Sequence, residues 1–179
     1  MTTLLGPIPL EHLVLCVADA GPGAQRPDPA EAQHFYLHAP WVGAVRNTAA
    51  ALGCPFYILT TGHGLVKPTA VIGPYDLPIQ THAHEVSVYW RTTVPALLHA
   101  HKHQLLLFYA GGCPRDLYLE LLLPLLRPLG ISLLTFGRPA MVDADCLEPA
   151  ARLLVEGTSL EALSSLLGQP DRLEFYYHA

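Results

Sequence analysis

Four short, almost uniformly apolar runs most constrain what this chain can fold into. They occupy residues 13–17, 56–60, 105–109 and 131–136. Runs of this length without polar alternation are typical of strands buried on both faces, and such strands occur in parallel sheets covered by helices. The sequence therefore predicts a buried, mostly parallel sheet.

Helical composition fills most of the chain between and after these runs. Helices are predicted within residues 31–37, 41–52, 84–102, 114–126, 148–156 and 159–167. Residues 19–29 and 67–81 are rich in glycine, proline and turn formers and are predicted as irregular loops. Alternation of strands and helices favours an α/β fold. We expect one three-layer α/β domain over residues 1–179, with about four or five strands flanked by helices and a helical tail over residues 137–179.

Composition excludes several classes of protein. The 179 residues are 51% hydrophobic and 14% charged, which excludes intrinsic disorder. A net charge of −5 and only two lysines, Lys67 and Lys102, argue against strong binding to a nucleic-acid backbone. The most apolar stretch, residues 117–136, is interrupted by Pro124 and Pro128, so it predicts a helix, a turn and a strand and no membrane span.

The cysteines indicate a reducing compartment. Cys16, Cys54, Cys113 and Cys146 are widely spaced and never form a CxxC pair, so neither a disulfide framework nor a zinc ribbon is predicted. No basic residue precedes the first apolar run, which disfavours a secretory signal. We expect a cytoplasmic location.

Polar and glycine residues gather where the predicted strands end. Ligands of open α/β sheets bind beyond the carboxyl ends of the strands, and glycines there allow close approach to the backbone. The residues predicted on this basis to bind a ligand are Thr60, Thr61, Gly62, Gly64, Gly111, Gly112 and Arg115. Glycines that simply terminate strands are the alternative interpretation. Neither loop has the spacing of a dinucleotide or P-loop motif, so no cofactor is predicted.

Two segments of the chain carry a family resemblance. Residues 57–68 read Tyr-Ile-Leu-Thr-Thr-Gly-His-Gly-Leu-Val-Lys-Pro, and residues 72–76 read Ile-Gly-Pro-Tyr-Asp. This pairing resembles the central motif of a bacterial and phage family of uncharacterised domains related to the YaaA peroxide-stress proteins. Trp90, the strand with Cys16 and the segment ending in Tyr118 also resemble that family. The resemblance covers roughly residues 12–136.

The resemblance implies a function that involves nucleobases. YaaA proteins are linked to oxidative stress and DNA binding, and distant relatives modify bases of archaeal tRNA. It therefore implies a nucleobase-containing ligand, such as a nucleoside, a nucleotide or a base of single-stranded or flipped nucleic acid. Tyr75 and Tyr118 join the predicted ligand-binding residues. The chain departs from the family after Cys16, where Val17-Ala18-Asp19 replace the family's serine and lysine, and at Thr60-Thr61, which replace Ser-Ala.

Three residues are candidates for catalysis of cleavage or substitution at a base or glycosidic bond, in nucleic-acid modification or stress response. Asp76 suits a general base beside Tyr75, whose ring offers a stacking face, although an aspartate after Pro-Tyr also forms turns. His63 suits an acid or base, with an exposed turn histidine as the alternative. Cys16 is a candidate nucleophile, but a small core residue is the favoured interpretation.

Two further features have interpretations of their own. His82, His84, His99, His101 and His103 are spaced for a solvated or helix-capping cluster more than for a metal site, so no metal is predicted. Leucines of residues 117–126 and of the C-terminal helices exceed what one buried face needs. They predict contact with a second copy, and a non-catalytic homo-oligomeric interaction protein is the alternative function.

Overall fold

The apolar runs form neighbouring strands of one sheet. The computed structural model describes residues 4–5, 7–99, 104–111, 113–136, 146–166 and 173–176. Its strands are β1 (Leu4–Leu5), β2 (Leu13–Ala18), β3 (Ala30–Glu31), β4 (Phe56–Thr60), β5 (Gly64–Val66), β6 (Val71–Ile72), β7 (Leu105–Tyr109), β8 (Ser132–Phe136), β9 (Thr158–Ser159) and β10 (Leu173–Tyr176). Its helices are α1 (Ala32–Phe35), α2 (Pro40–Leu52), α3 (Ile79–Leu98), α4 (Arg115–Leu126), α5 (Leu147–Glu156) and α6 (Leu160–Leu166).

The main sheet has six strands in the order β10-β8-β7-β2-β4-β5. The inner four strands, β8, β7, β2 and β4, are parallel to one another. The edge strands β10 and β5 pair antiparallel with β8 and β4, respectively. The first parallel strand, β2, lies between the second and the third, β4 and β7. The connection after β2 leads to β4 on one side, and the connection after β7 leads to β8 on the other, so the carboxyl ends of β2 and β7 flank the switch point where doubly wound sheets bind ligands.

Helices cover both faces of the sheet, which gives the predicted three layers. Helices α2 and α5 pack together over one face, and α3 and α4 pack together over the other. Alternate residues of β2 serve the two cores: Leu15 faces α2, and Cys16 faces α3. Trp90 of α3 is fully buried, and its Nε1 donates a hydrogen bond to the Thr60 carbonyl oxygen at 2.9 Å. This bond ties α3 to the carboxyl end of β4.

The prediction of an α/β fold with a mostly parallel sheet is confirmed, with differences at its margins. The two antiparallel edge strands are absent from the prediction. Residues 137–179 contain α5 and α6, but the prediction of a wholly helical tail is wrong because Leu173–Tyr176 form β10 against β8.

Helix α3 begins before its predicted start and contains one non-helical residue. It begins at Ile79 and continues through Pro95, and the non-helical residue lies at His82. Val86, Trp90, Val94 and Leu98 repeat every fourth residue and are buried, which anchors the helix on both sides of the proline.

The apolar stretch 117–136 divides as predicted into α4, a 3-10 turn over Arg127–Leu129 and β8. In the part of the chain that the structure describes, no helix has the length and apolarity needed to cross a membrane.

Candidate functional site: a buried acidic cluster at the switch point

Asp19 lies at the switch point, directly after β2. Its backbone N–H continues the sheet by donating to the Leu59 carbonyl oxygen at 2.9 Å, and the residue is 0% exposed. A carboxylate without contact to water is strongly disfavoured unless hydrogen-bond donors surround it. The site is therefore defined by the groups that donate to Asp19.

Donors reach Asp19 from three separate segments. Thr61, just after β4, donates to Oδ2 through its backbone N–H at 2.9 Å and its hydroxyl at 3.3 Å. Tyr75, on the loop between β6 and α3, donates its hydroxyl to the same oxygen. Tyr118 of α4 donates its hydroxyl to Oδ1. Both carboxylate oxygens are thus held by groups that are far apart in the sequence.

Two further groups complete the cluster. The Tyr36 hydroxyl lies 2.8 Å from the Tyr75 hydroxyl, and the Cys113 thiol donates to the Asp19 backbone oxygen. We refer to the whole set as the Asp19 cluster, which consists of Asp19, Tyr36, Thr61, Tyr75, Cys113 and Tyr118. It joins the carboxyl ends of β2 and β4 to the segment that follows β7.

Burial and the negative charge of Asp19 hold the cluster in its protonated, donating form. Burial, and secondarily Asp19, raises the pKa of Tyr36, Tyr75 and Tyr118 far above the ordinary value of 10.0. The same causes raise the pKa of Cys113 to about 12. At neutral pH these groups therefore remain uncharged donors that face one carboxylate.

The Tyr75 ring is seated on Gly62. A Cβ built on Gly62 would lie 2.2 Å from Tyr75 Cγ, closer than side chains ever approach. The backbone N–H of Tyr75 donates to Gln25 Oε1 at 2.9 Å, and the His63 ring contacts the Tyr75 ring edge-on at 5.2 Å. His63 Nε2 lies 2.9 Å from the Gly73 carbonyl oxygen. We call residues 73–76 the Tyr75 segment.

Side chains of this chain also occupy the space beside the other two described glycines of the predicted site. A Cβ on Gly64 would lie 2.0 Å from Thr93 Oγ1, and one on Gly111 would lie 2.4 Å from Trp41 Nε1. Both glycines have a positive φ, +73° and +59°. Side chains of the protein itself therefore fill the space beside these glycines, where the sequence predicts that a ligand approaches.

Gly64→Ala should test how tight this packing is. We expect the free energy of unfolding to fall by about 2–4 kcal/mol, because the methyl group meets Thr93 and the left-handed backbone disfavours alanine. Thr93 cannot yield freely, since its hydroxyl accepts from Leu65 N–H and donates to the Tyr89 carbonyl oxygen, both at 2.9 Å. Urea unfolding measures the change.

Gly130→Ala is the matched control for that substitution. Gly130 has a φ of +66°, but nothing lies within 4 Å of its Cβ position. Gly130→Ala should lower the free energy of unfolding by only about 1–2 kcal/mol, which is the cost of a left-handed backbone for alanine. Equal losses in the two variants would show that the contact with Thr93 is not tight.

The structure brings several of the predicted site residues together. Thr61, Tyr75 and Tyr118 contact Asp19, and Gly62 and His63 contact Tyr75. Thr60 shapes the turn: its hydroxyl donates to the Gly64 carbonyl oxygen at 3.1 Å and accepts from His63 N–H at 2.8 Å.

The other predicted residues are not members of the Asp19 cluster or lie outside the described residues. Asp76 is exposed beside Tyr75. The guanidinium of Arg115 is paired with the carboxylate of Asp116, with Nη2 3.0 Å from Oδ1. Gly112 lies outside the described residues.

Cys16 lies within β2 in the core between the sheet and α3. It is 1% exposed, and burial raises the pKa of its thiol far above the ordinary value. A nucleophile must be accessible and ionised. The placement of Cys16 therefore suits the core residue that the sequence favours.

Sequence reasoning misses three members of the site: Asp19 as its centre, Tyr36 and Cys113. Asp19 gives a signal, since it directly follows a buried strand and lies in the segment where the resembled family has a serine and a lysine. Cys113 follows the glycines after β7 at a strand end. Tyr36 follows the short helix α1 and gives no local signal.

The described histidines do not form a metal site. Among the residues with described placement, no group of three or more His, Cys, Asp or Glu side chains is arranged to hold an ion. His82 and His84 lie on α3, while His101 and His103 are outside the described residues.

The protein is thus of the doubly wound α/β class, with the buried Asp19 cluster at the switch point beyond the carboxyl ends of its strands. A model of a family of unknown function (DUF6884) matches residues 12–133, and the chain belongs to that family. The match includes every member of the Asp19 cluster. Among curated proteins and among solved structures, no match to the chain is found.

Proposed function

We propose that this protein binds a nucleobase-containing ligand, as a nucleoside, a nucleotide or a base of nucleic acid, at the carboxyl ends of its parallel strands. One observation carries the proposal: a fully buried carboxylate, Asp19, stands at the switch point among hydroxyl donors. The resemblance to the YaaA-like family supports a nucleobase as the ligand.

The chemistry of a base edge suits this site. A carboxylate accepts hydrogen bonds from base N–H groups, and aromatic side chains stack on bases of any sequence. Tyr75 and Tyr36 supply aromatic rings beside Asp19, and Trp41 adds an indole beside Gly111. The paucity of basic residues favours recognition of a base over recognition of a phosphate backbone.

His63 is the candidate acid or base for a reaction at a base or glycosidic bond. A carbonyl oxygen only accepts, so the hydrogen bond with the Gly73 carbonyl places the proton of the neutral ring on Nε2. Nδ1 then carries a lone pair that can take up a proton. Asp76 is a second candidate, exposed at the end of the Tyr75 segment.

Thermal-shift measurements with bases, nucleosides and short single strands test this proposal. The wild type should gain several degrees with the matching ligand at a concentration near 100 times its dissociation constant, equivalent to about 2.7 kcal/mol. Asp19→Asn should abolish the gain, because the amide presents a donor where the ligand needs an acceptor. Asp28→Asn, an exposed aspartate after the same strand, is the control and should respond like the wild type. A panel without any Asp19-dependent shift would refute the proposal.

Asp76→Asn in the same screen separates the two aspartates. If Asp19 alone binds the nucleobase, ligand binding should survive in Asp76→Asn. If Asp76 is in addition the general base of a reaction, only turnover should fall in that variant. Loss of binding in Asp76→Asn with retention in Asp19→Asn would place the site on the exposed carboxylate instead.

The second candidate is a homo-oligomeric interaction protein. Neighbouring Val88 and Tyr89 of α3 are 52% and 45% exposed and favour a contact with another copy. The leucines of α4, which the sequence analysis assigns to such a contact, are all buried or half-buried. A dimer in light scattering, dissociated by Val88→Ser, would support this alternative.

We further propose a cytoplasmic location. All four cysteines lie within the described residues and carry free thiols. Free thiols are usual in reducing compartments.

A further inference from the structure

The Tyr75 side chain has the form of a small ligand bound in a slot. A flat ring lies against the Gly62 backbone, and a donor on its edge meets the buried Asp19 carboxylate. Gly62 is not among the glycines with a positive φ. At this position glycine therefore provides room for the ring and is not required by the backbone conformation.

Among the N–H and O–H donors to the Asp19 carboxylate, Tyr75 alone enters from an irregular surface loop. Thr61 directly follows β4 in the central sheet, and Tyr118 lies within α4. Pro74 and Asp76, on either side of Tyr75, are exposed. Thr61 and Tyr118 therefore belong to the framework of the site, and Tyr75 is the donor that can leave without disturbing the sheet.

The Tyr75 segment is held at few polar points. These are the His63–Gly73 and Gln25–Tyr75 hydrogen bonds and the Tyr75 hydroxyl itself. Pro68, Pro74 and Pro78 stiffen the loop and limit the freedom gained when it detaches. Gln25 Nε2 is buried and, among the described residues, has no hydrogen-bond partner. The Gln25 amide contacts the backbone of Tyr75 and Asp19 contacts its hydroxyl, so the spare donor of Gln25 belongs to the opposite end of the residue from Asp19.

We propose that Tyr75 is a built-in occupant of the binding site, and that the ligand displaces it. The ligand is then a planar ring with an N–H or O–H donor on one edge for Asp19 and an acceptor at the opposite end for Gln25. This inference rests on the proposed function for the location of the site and adds the donor requirement and the competition with Tyr75.

Gly62→Ala tests displacement without any ligand. The added methyl group overlaps the Tyr75 ring and should expel the segment, while Asp19 and its framework donors remain. Hydrogen exchange at the Tyr75 amide, which is bonded to Gln25, should accelerate at least about tenfold, because exchange follows the open population. Gly23→Ala, where a Cβ meets nothing within 4 Å, is the control. Unchanged exchange in Gly62→Ala would overturn the idea of a displaceable ring.

Tyr75→Ala empties the slot and covers the case in which Gly62→Ala fails to fold. By NMR titration, Tyr75→Ala should bind 4-methylphenol and uracil but not their methylated counterparts, 4-methylanisole and 1,3-dimethyluracil, which lack the donor. The wild type should bind the donor-bearing probes at least about tenfold more weakly, since Tyr75 competes. Equal affinity in wild type and variant, or no preference for the donor-bearing probes, would overturn the inference.

The outcomes separate this inference from the proposed function. If Tyr75→Ala binds 4-methylphenol but no base, the inference that Tyr75 occupies the binding site is supported and the proposal of a nucleobase ligand is refuted. Nucleosides could instead give an Asp19-dependent thermal shift while hydrogen exchange at the Tyr75 amide stays unchanged on binding. That result would support a nucleobase ligand and refute displacement of Tyr75.

Discussion

Asp19→Ala should lower the free energy of unfolding by about 3–5 kcal/mol. The substitution leaves Thr61 N–H and the hydroxyls of Tyr75 and Tyr118 buried without their acceptor, and each orphaned donor costs about 1–3 kcal/mol. Relief from burying a carboxylate offsets part of that cost. Urea unfolding followed by circular dichroism measures the change.

Two further variants serve as controls for the loss of stability in Asp19→Ala. Asp28→Ala removes an exposed carboxylate from the segment after the same strand and should change stability by less than about 0.5 kcal/mol. Asp19→Asn keeps the size and one acceptor oxygen, so its loss should be intermediate. A loss below about 1 kcal/mol in Asp19→Ala would mean that the cluster does not depend on the carboxylate.

The centre of the fold is predictable from sequence because it depends on local composition. The runs at β2, β4, β7 and β8 are almost uniformly apolar, which is typical of strands covered on both faces. The edges follow a different rule. Strand β5 is three residues long after a tight turn, and β10 acquires its identity only by pairing with β8.

The candidate site is only partly predictable because burial decides between similar residues. Asp19 follows a predicted strand and Asp76 lies in the loop predicted over residues 67–81, and the sequence favours Asp76 for its place after Pro-Tyr. The structure buries Asp19 completely and exposes Asp76. That difference arises from packing of Tyr36, Tyr75 and Tyr118, which are remote from one another in the chain.

The glycines show the same limit in another form. A glycine that admits a ligand and a glycine that admits the chain's own ring look identical in sequence. Gly62, Gly64 and Gly111 face Tyr75, Thr93 and Trp41, respectively. Gly62 would serve both purposes if a ligand replaces the Tyr75 ring. The glycine then makes room for Tyr75 in the free protein and for the ligand in the complex.

Stability should fall steeply in alkali because the cluster keeps its protons in the folded state. The pKa values of Tyr36, Tyr75 and Tyr118 are raised in the folded protein above the ordinary value of 10.0. Their contribution is therefore fully present below pH 10 and is lost as the pH rises above it, since the unfolded chain releases protons that the folded protein retains. The Cys113 thiol, with its pKa raised from 9.0 to about 12, starts the loss near pH 9.

The expected slope is large enough to be diagnostic. Each retained proton steepens the fall by about 1.4 kcal/mol per pH unit, so the three tyrosines together give about 4 kcal/mol per unit. Urea unfolding across alkaline pH measures the slope, and Tyr118→Phe should reduce it by about 1.4 kcal/mol per unit. The part of the tyrosinate absorbance that Tyr118→Phe removes should appear together with loss of circular dichroism, because this buried hydroxyl ionises only when the protein unfolds. Ionisation of these tyrosines in the folded protein near pH 10 would instead mean that water reaches Asp19 and that the cluster is open.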